Sequence, residues 1–137
     1  MTREARLTAW AAFRAKLETA LEAQLQGDSE PWIALWSQKD NVFIFGGLGG
    51  YERGIAEIGA RLRWSAERVI ATDFRLENLK TEIGADMAVC VDLEHMVRHI
   101  DGKAQQRALR VTQVCRLENG EWRICHRHAD EYRPSGR

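Results

Sequence analysis

Neither sign of charge dominates this chain of 137 residues: Lys plus Arg and Asp plus Glu each number 20, a formal net charge of zero. Without a global field, nucleic acid and anionic membrane surfaces are not expected as partners. Long apolar runs are missing as well. None approaches the roughly 20 residues needed to span a bilayer, and the opening MTREARLTAW is charged, so a soluble, unexported, cytoplasmic protein is expected. Cysteine is scarce: Cys90, Cys115 and Cys125 are an odd number without metal-finger spacing, each inside a predicted strand, which reads as buried reduced thiols. There is no internal repeat and no low-complexity segment. The length suits one domain, expected over residues 1–133 with a disordered tail at 134–137.

What is present follows a simple order. Leu7, Trp10, Leu17, Leu21 and Leu25 recur at helical spacing and predict a helix over 3–26, ended by Gly27. Asp28 or Ser29 caps a short second helix with Pro31 in its first turn, where a missing N–H costs nothing. Residues 42–45 (VFIF) form a strand that enters GGLGG at 46–50, and a third helix runs from about Tyr51 or Gly54 to Arg68. Glycines 46, 47, 49 and 50 suggest a phosphate loop, but no Gly-Lys-Ser/Thr ending follows, so a bend is the better reading. Strands are expected over 72–83 and 87–99, separated by Gly84-Ala85-Asp86 and closed by a turn at Asp101-Gly102.

The last long run, Leu109 to Asp130, reads LRVTQVCRLENGEWRICHRHAD. Asn119-Gly120 suits a two-residue hairpin turn, because both residues tolerate positive φ. Counting outward pairs Leu117 with Trp122, Cys115 with Ile124, Gln113 with His126, Val111 with His128 and Leu109 with Asp130 on one face. Arg110, Thr112, Val114, Arg116, Arg123, Cys125 and Arg127 take the other. A second two-residue turn at Asp101-Gly102 pairs Cys90 with Gln113, Asp92 with Val111 and Glu94 with Leu109. Asp92 and Glu94 then share a face with His126, His128 and Asp130. The opposite face of that strand, Val89, Val91, Leu93, His95 and Val97, is too apolar for solvent. Three helices followed by an antiparallel meander predict an α+β fold with the helices on one face of the sheet and a second subunit covering the other.

Two stretches carry a family resemblance: VFIFGGLGGYERGIAEIGARLRW at 42–64 and LRVTQVCRLENGEWRICHRHAD at 109–130. Together they resemble the SnoaL-like branch of the nuclear transport factor 2-like (ketosteroid isomerase-like) superfamily, over about residues 3–131. The resemblance implies a cone-shaped α+β fold in which three N-terminal helices pack on a strongly curved, mostly antiparallel sheet around a deep pocket. It also implies a homodimer through the outer sheet face. Function does not follow from fold, since isomerases, cyclases, dehydratases, hydrolases and non-catalytic association domains share it. The acid that serves ketosteroid isomerases as general base is absent near Phe45-Gly46, and the first helix has Trp10 and Phe13 where those enzymes have a tyrosine. Steroid isomerisation by that route is not carried over.

The candidate proton-transfer set is His126 and His128 with Asp92, Glu94 or Asp130, because imidazole titrates near working pH and a carboxylate can orient it. The competing reading makes these histidines structural. A His-x-His strand completed by Glu94 or Asp130 would also suit a metal, and His95 and His99 are four apart, but their strand geometry is wrong for a zinc helix; neither metal nor cofactor is expected. Trp10, Phe13, Trp32, Trp36, Phe45, Tyr51, Leu62 and Gln113 are the expected ligand-contacting residues. Tryptophans at helical spacing are core residues first, so about two of Trp10, Phe13, Trp32, Trp36 and Trp64 are expected to touch a ligand. Arg110, Arg116, Arg123 and Arg127 read as a solvated rim. The expected function is binding of a small, largely apolar molecule, with acid/base chemistry left open, against a non-catalytic dimeric association module.

Overall fold

The computed structural model describes residues 1–134, so the tail expectation for 135–137 lies outside the described residues. The chain runs α1 (Arg3–Leu25), α2 (Glu30–Ile33), β1 (Phe43–Phe45), β2 (Glu52–Arg53), α3 (Gly54–Ala66), β3 (Ala71–Ile83), β4 (Met87–Ile100), β5 (Lys103–Glu118) and β6 (Glu121–Glu131). Helix α1 opens on Thr2, whose hydroxyl accepts from the Ala5 N–H at 3.0 Å. It closes on Gly27 at φ +99°, with Asp28 N–H donating to Ala23 O and Gly27 N–H to Gln24 O. That is the left-handed cap expected where a helix must stop before a sharp turn. In α2, Pro31 occupies the first turn, and the Ser29 hydroxyl donates across to Leu62 O on α3.

The six strands form one open mixed sheet in the order β2-β1-β6-β5-β4-β3. Every pairing is antiparallel except β1 with β6. The pair β2 is too short for any periodicity to announce it. Both two-residue hairpin turns are present, with positive φ at Asp101 and Gly102 and at Asn119 and Gly120. The β4–β5 register is the one counted from the sequence: Cys90 with Gln113, Asp92 with Val111, Glu94 with Leu109.

The β5–β6 register holds only near its turn. Leu117 faces Trp122 and Cys115 faces Ile124, but the next pair is Val114 with His126, leaving Cys125 as an extra residue in β6. This bulge reverses the expected alternation beyond it: Gln113 is paired with Arg127, Thr112 with His128, Val111 with Ala129 and Arg110 with Asp130. Arg127 and Ala129 therefore face the helices and are buried, whereas His126, His128 and Asp130 lie on the outer face. Strand β1 is consistent, pairing Ile44 with Arg127 and Phe45 with His128.

On the inner face, α1 and α2 are packed over the hairpin end of the sheet. Trp10, Phe13, Leu17, Trp36, Val42, Cys115, Trp122 and Ile124 form the centre of that core. Trp10 meets Trp122 edge-on at 5.6 Å between ring centroids, and the Trp122 indole N–H donates to Arg6 O. Such aromatic pairs add to area burial, the main stabilising term. At the other end of the sheet, the helices and strands diverge and leave a cavity.

Candidate functional site

The cavity has a volume of about 180 Å³. Its inner part is buried and mostly apolar: Leu21 from α1, Trp32 from α2, Ile44 from β1, Leu62 from α3 and Met96 from β4. Towards the open end of the sheet stand Leu48, which is exposed, and Arg98, Arg107 and Glu131. A small apolar chamber with a limited polar set is the usual composition of a ligand site.

Two sheet carboxylates, each paired with an arginine, have left solvent. Glu94 and Arg127 are 2% and 3% exposed and form a two-pronged ion pair at 2.7 and 2.8 Å. The same guanidinium donates weakly to the Gln113 side-chain oxygen at 3.5 Å and lies over the Trp32 ring at 4.9 Å. Both Glu94 oxygens are thereby occupied, and the pair forms a neutral patch of cavity wall. Asp92, fully buried, is held by Arg14 at 2.8 and 3.0 Å and accepts from the Asn78 amide at 2.9 Å. It contributes to the joint between α1 and the sheet and does not line the cavity.

Of the expected acid/base residues, Glu94 reaches the cavity. His126, His128 and Asp130 do not, because the Cys125 bulge turns them outward. Asp130 is instead bound by Arg110 at 2.6 and 2.7 Å, which holds its carboxyl below the usual range. His126 and His128 lie edge-on to Phe45 at 5.2 and 5.3 Å, and Tyr51 packs on the same ring at 5.8 Å. Phe45 and Tyr51, expected to contact ligand, thus belong to an exposed outer cluster. Burial, then the neighbouring His128, lowers the His126 pKa.

Among the remaining expected contacts, Trp32 and Leu62 line the cavity. Trp10, Phe13 and Trp36 are in the core at the hairpin end, and Gln113 lies beneath the Glu94–Arg127 pair, with its amide 4.0 Å from the Cys90 sulfur. The arginine row loses Arg127 to the interior but keeps Arg110, Arg116 and Arg123 outside. His95 bonds Glu77 at 2.8 Å and His99 lies 3.2 Å from the Thr72 hydroxyl, both on the outer side. Among the described residues, no group of three His, Cys, Asp or Glu side chains is placed to hold a metal ion.

Gln24, Glu52, Arg61, Arg98 and Arg107 line the cavity without having been singled out in the sequence. Signals for two of them were available. Gln24 interrupts the Leu17, Leu21, Leu25 stripe, and Arg98 continues the inward alternation Cys90, Asp92, Glu94, Met96. Four buried polar atoms on this wall have no partner: Gln24 Oε1, Trp32 Nε1, Glu52 Oε2 and Arg98 Nε. Buried polar atoms are normally bonded, so this concentration of unbonded ones sets the cavity wall apart from the packed core.

Solved structures share this architecture. A proposed calcium/calmodulin-dependent protein kinase type II association domain from Thiobacillus denitrificans superposes with a TM-score of 0.75 at 22% identity, covering 90% of this chain and 94% of that one. A ketosteroid isomerase-like protein from Erwinia carotovora atroseptica gives 0.74 at 19% identity, covering 90% and 96%. A proposed dehydratase of the NTF2-like family from Streptomyces avermitilis gives 0.78 at 15% identity, covering 96% and 99%. At these identities the likeness defines the fold alone. The SnoaL-like domain profile matches residues 14–129, and the chain belongs to that family. No curated protein sequence matches it significantly.

Proposed function

We propose that the protein binds a small, largely apolar molecule in the cavity between its helices and the curved sheet. The observation that carries this reading is the coincidence of an apolar chamber with four unpartnered buried polar atoms on its wall. Isomerase-, cyclase-, dehydratase- or hydrolase-type proton transfer on that molecule would fall to Glu52, because Glu94 has both oxygens engaged and the histidines face away. The reading is tested by thermal-shift screening of small apolar compounds and by native mass spectrometry for a retained ligand, comparing wild type with Leu62→Phe. A ligand that raises Tm in wild type but not in the narrowed variant supports it. Equal responses in a folded Leu62→Phe protein would overturn it.

A second reading concerns assembly. Leu79, Met87 and Val89 are exposed on the outer sheet face beside the half-buried Val91, Leu93 and Val114, and a homodimer through this face would cover them. Sedimentation equilibrium checks it: a dimer is expected, and Val89→Glu with Leu93→Glu should shift it to monomer, while a monomeric wild type would refute the interface. The three free, buried thiols suit a reducing cytoplasmic location, and no helix among the described residues is long and apolar enough to cross a membrane.

A further inference from the structure

Among the described residues the charges on the cavity wall do not balance. Glu52, Glu94 and Glu131 stand against Arg61, Arg98, Arg107 and Arg127, three carboxylates for four guanidinium groups. Glu94 is matched by Arg127, Glu131 by Arg107 and Glu52, at 3.6 Å, by Arg61. Arg61 is further occupied by the Gly49 carbonyl and the Trp64 ring. Glu131 is shared with Arg133 as well, so no spare negative charge remains there. Among the described residues Arg98 has neither an ion-pair nor a hydrogen-bond partner, and its Nε is buried. An arginine cannot escape by losing its proton, so a half-buried guanidinium with no carboxylate on it is a ready partner for an anion.

We propose that the ligand of this cavity is a small organic monocarboxylate, bound with its carboxylate on Arg98 and its apolar body against Leu21, Trp32, Ile44 and Leu62. This inference rests on the cavity being a ligand site. Monovalency follows from there being a single unmatched cation on the wall among the described residues: a phosphate monoester would bring nearly two charges and leave one without a counterion. Carboxylate chemistry also matches the planar guanidinium fork, which accepts both oxygens of one group. Size follows from the volume. A cavity of about 180 Å³ is comparable with the roughly 150 Å³ engineered apolar cavity known to take up benzene, so a single ring or its aliphatic equivalent fits. The remaining unpartnered atoms specify further polar contacts of the molecule. Gln24 Oε1 and Glu52 Oε2 can accept from a ligand hydroxyl and Trp32 Nε1 can donate to it, so a hydroxylated ring acid should bind better than the bare acid.

Isothermal titration with 4-hydroxybenzoate, benzoate, 4-hydroxybenzamide and phenyl phosphate tests this. Wild type should bind the two carboxylates at least about tenfold more tightly than the neutral amide, and phenyl phosphate should bind more weakly than benzoate. Arg98→Gln should weaken the carboxylates by about tenfold or more, leave the amide within about twofold and retain the wild-type melting profile. Arg98→Lys should restore part of the loss. If the amide binds as tightly as the acid, if phenyl phosphate binds more tightly than the acid, or if Arg98→Gln leaves the acid unaffected, the monocarboxylate assignment falls while the cavity remains a ligand site. If none of the four compounds binds, neutral amide included, the ligand-site reading falls with it.

Discussion

Glu94 and Arg127 are almost wholly out of water, and each satisfies the other with two hydrogen bonds. Such a pair is weak as a source of stability but costly to break, because the survivor is left as a buried charge. Arg127→Met should therefore destabilise the protein by about 3–5 kcal/mol in urea titration, and Glu94→Leu added to it should recover most of the loss. His126 leads to a pH prediction. Its folded pKa lies below the ordinary 6.5, so near that pH the unfolded chain binds more protons and stability rises with pH. The contribution is intact above 6.5 and declines as pH falls through 6.5 towards the lowered folded value. Asp130 and Glu131, both held low by arginine partners, lose theirs only in the more acidic carboxylate range. Urea midpoints at pH 7.5 and 5.5 should fall further apart in wild type than in His126→Gln.

Strand β6 shows how one residue sets the role of its neighbours. Deleting Cys125 would give a regular ladder that still pairs Val114 with His126 and points Arg127 at Glu94, so a folded protein is expected, with less local twist. Deleting Arg127 would instead bring His128 inward and strand Glu94, and should cost at least as much as Arg127→Met. Denaturation curves and amide exchange in β6 distinguish the two. The same strand shows which parts of the structure could be read from sequence. Both hairpin turns were legible because Asn-Gly and Asp-Gly are the residue pairs that tolerate the required φ. The α1 stripe, its glycine stop and the β4–β5 register followed from local chemistry. The bulge did not, because CHRHAD alternates equally well in either setting and Cys125 carries no glycine-like signal. What selects the observed setting is distant in sequence: Glu94 needs a cation on the inner face, and Arg127 is the one that β6 can offer. Hence Glu94, Trp32 and Leu62 line the cavity as the sequence predicts, while the same alternation puts the histidines on the wrong wall.

At the scale of the molecule, one end of the sheet is filled by aromatic packing and the other is left open around polar atoms without partners. Empty space and unmet hydrogen bonds both cost stability, so this end is where, on the proposed function, the fold gives up stability for binding. Met96→Phe, which extends a buried side chain into the cavity, should raise the Tm of the ligand-free protein by a few degrees and abolish ligand-induced stabilisation in the same melting assay. An increase without loss of ligand response would contradict that division. The extra residue at Cys125 has a consequence for inheritance. A one-codon insertion or loss in β6 that the bulge does not absorb is a parity change: downstream of it, the residues shown to the cavity and those shown to the outer surface trade places together. In a relative with the same residue count from the turn but no bulge, an H-x-H at these positions would face the cavity, whereas here it lies on the outer face. The cavity-facing and outward-facing residues of this strand are therefore not independently heritable traits, and matching columns of an alignment need not mean matching walls.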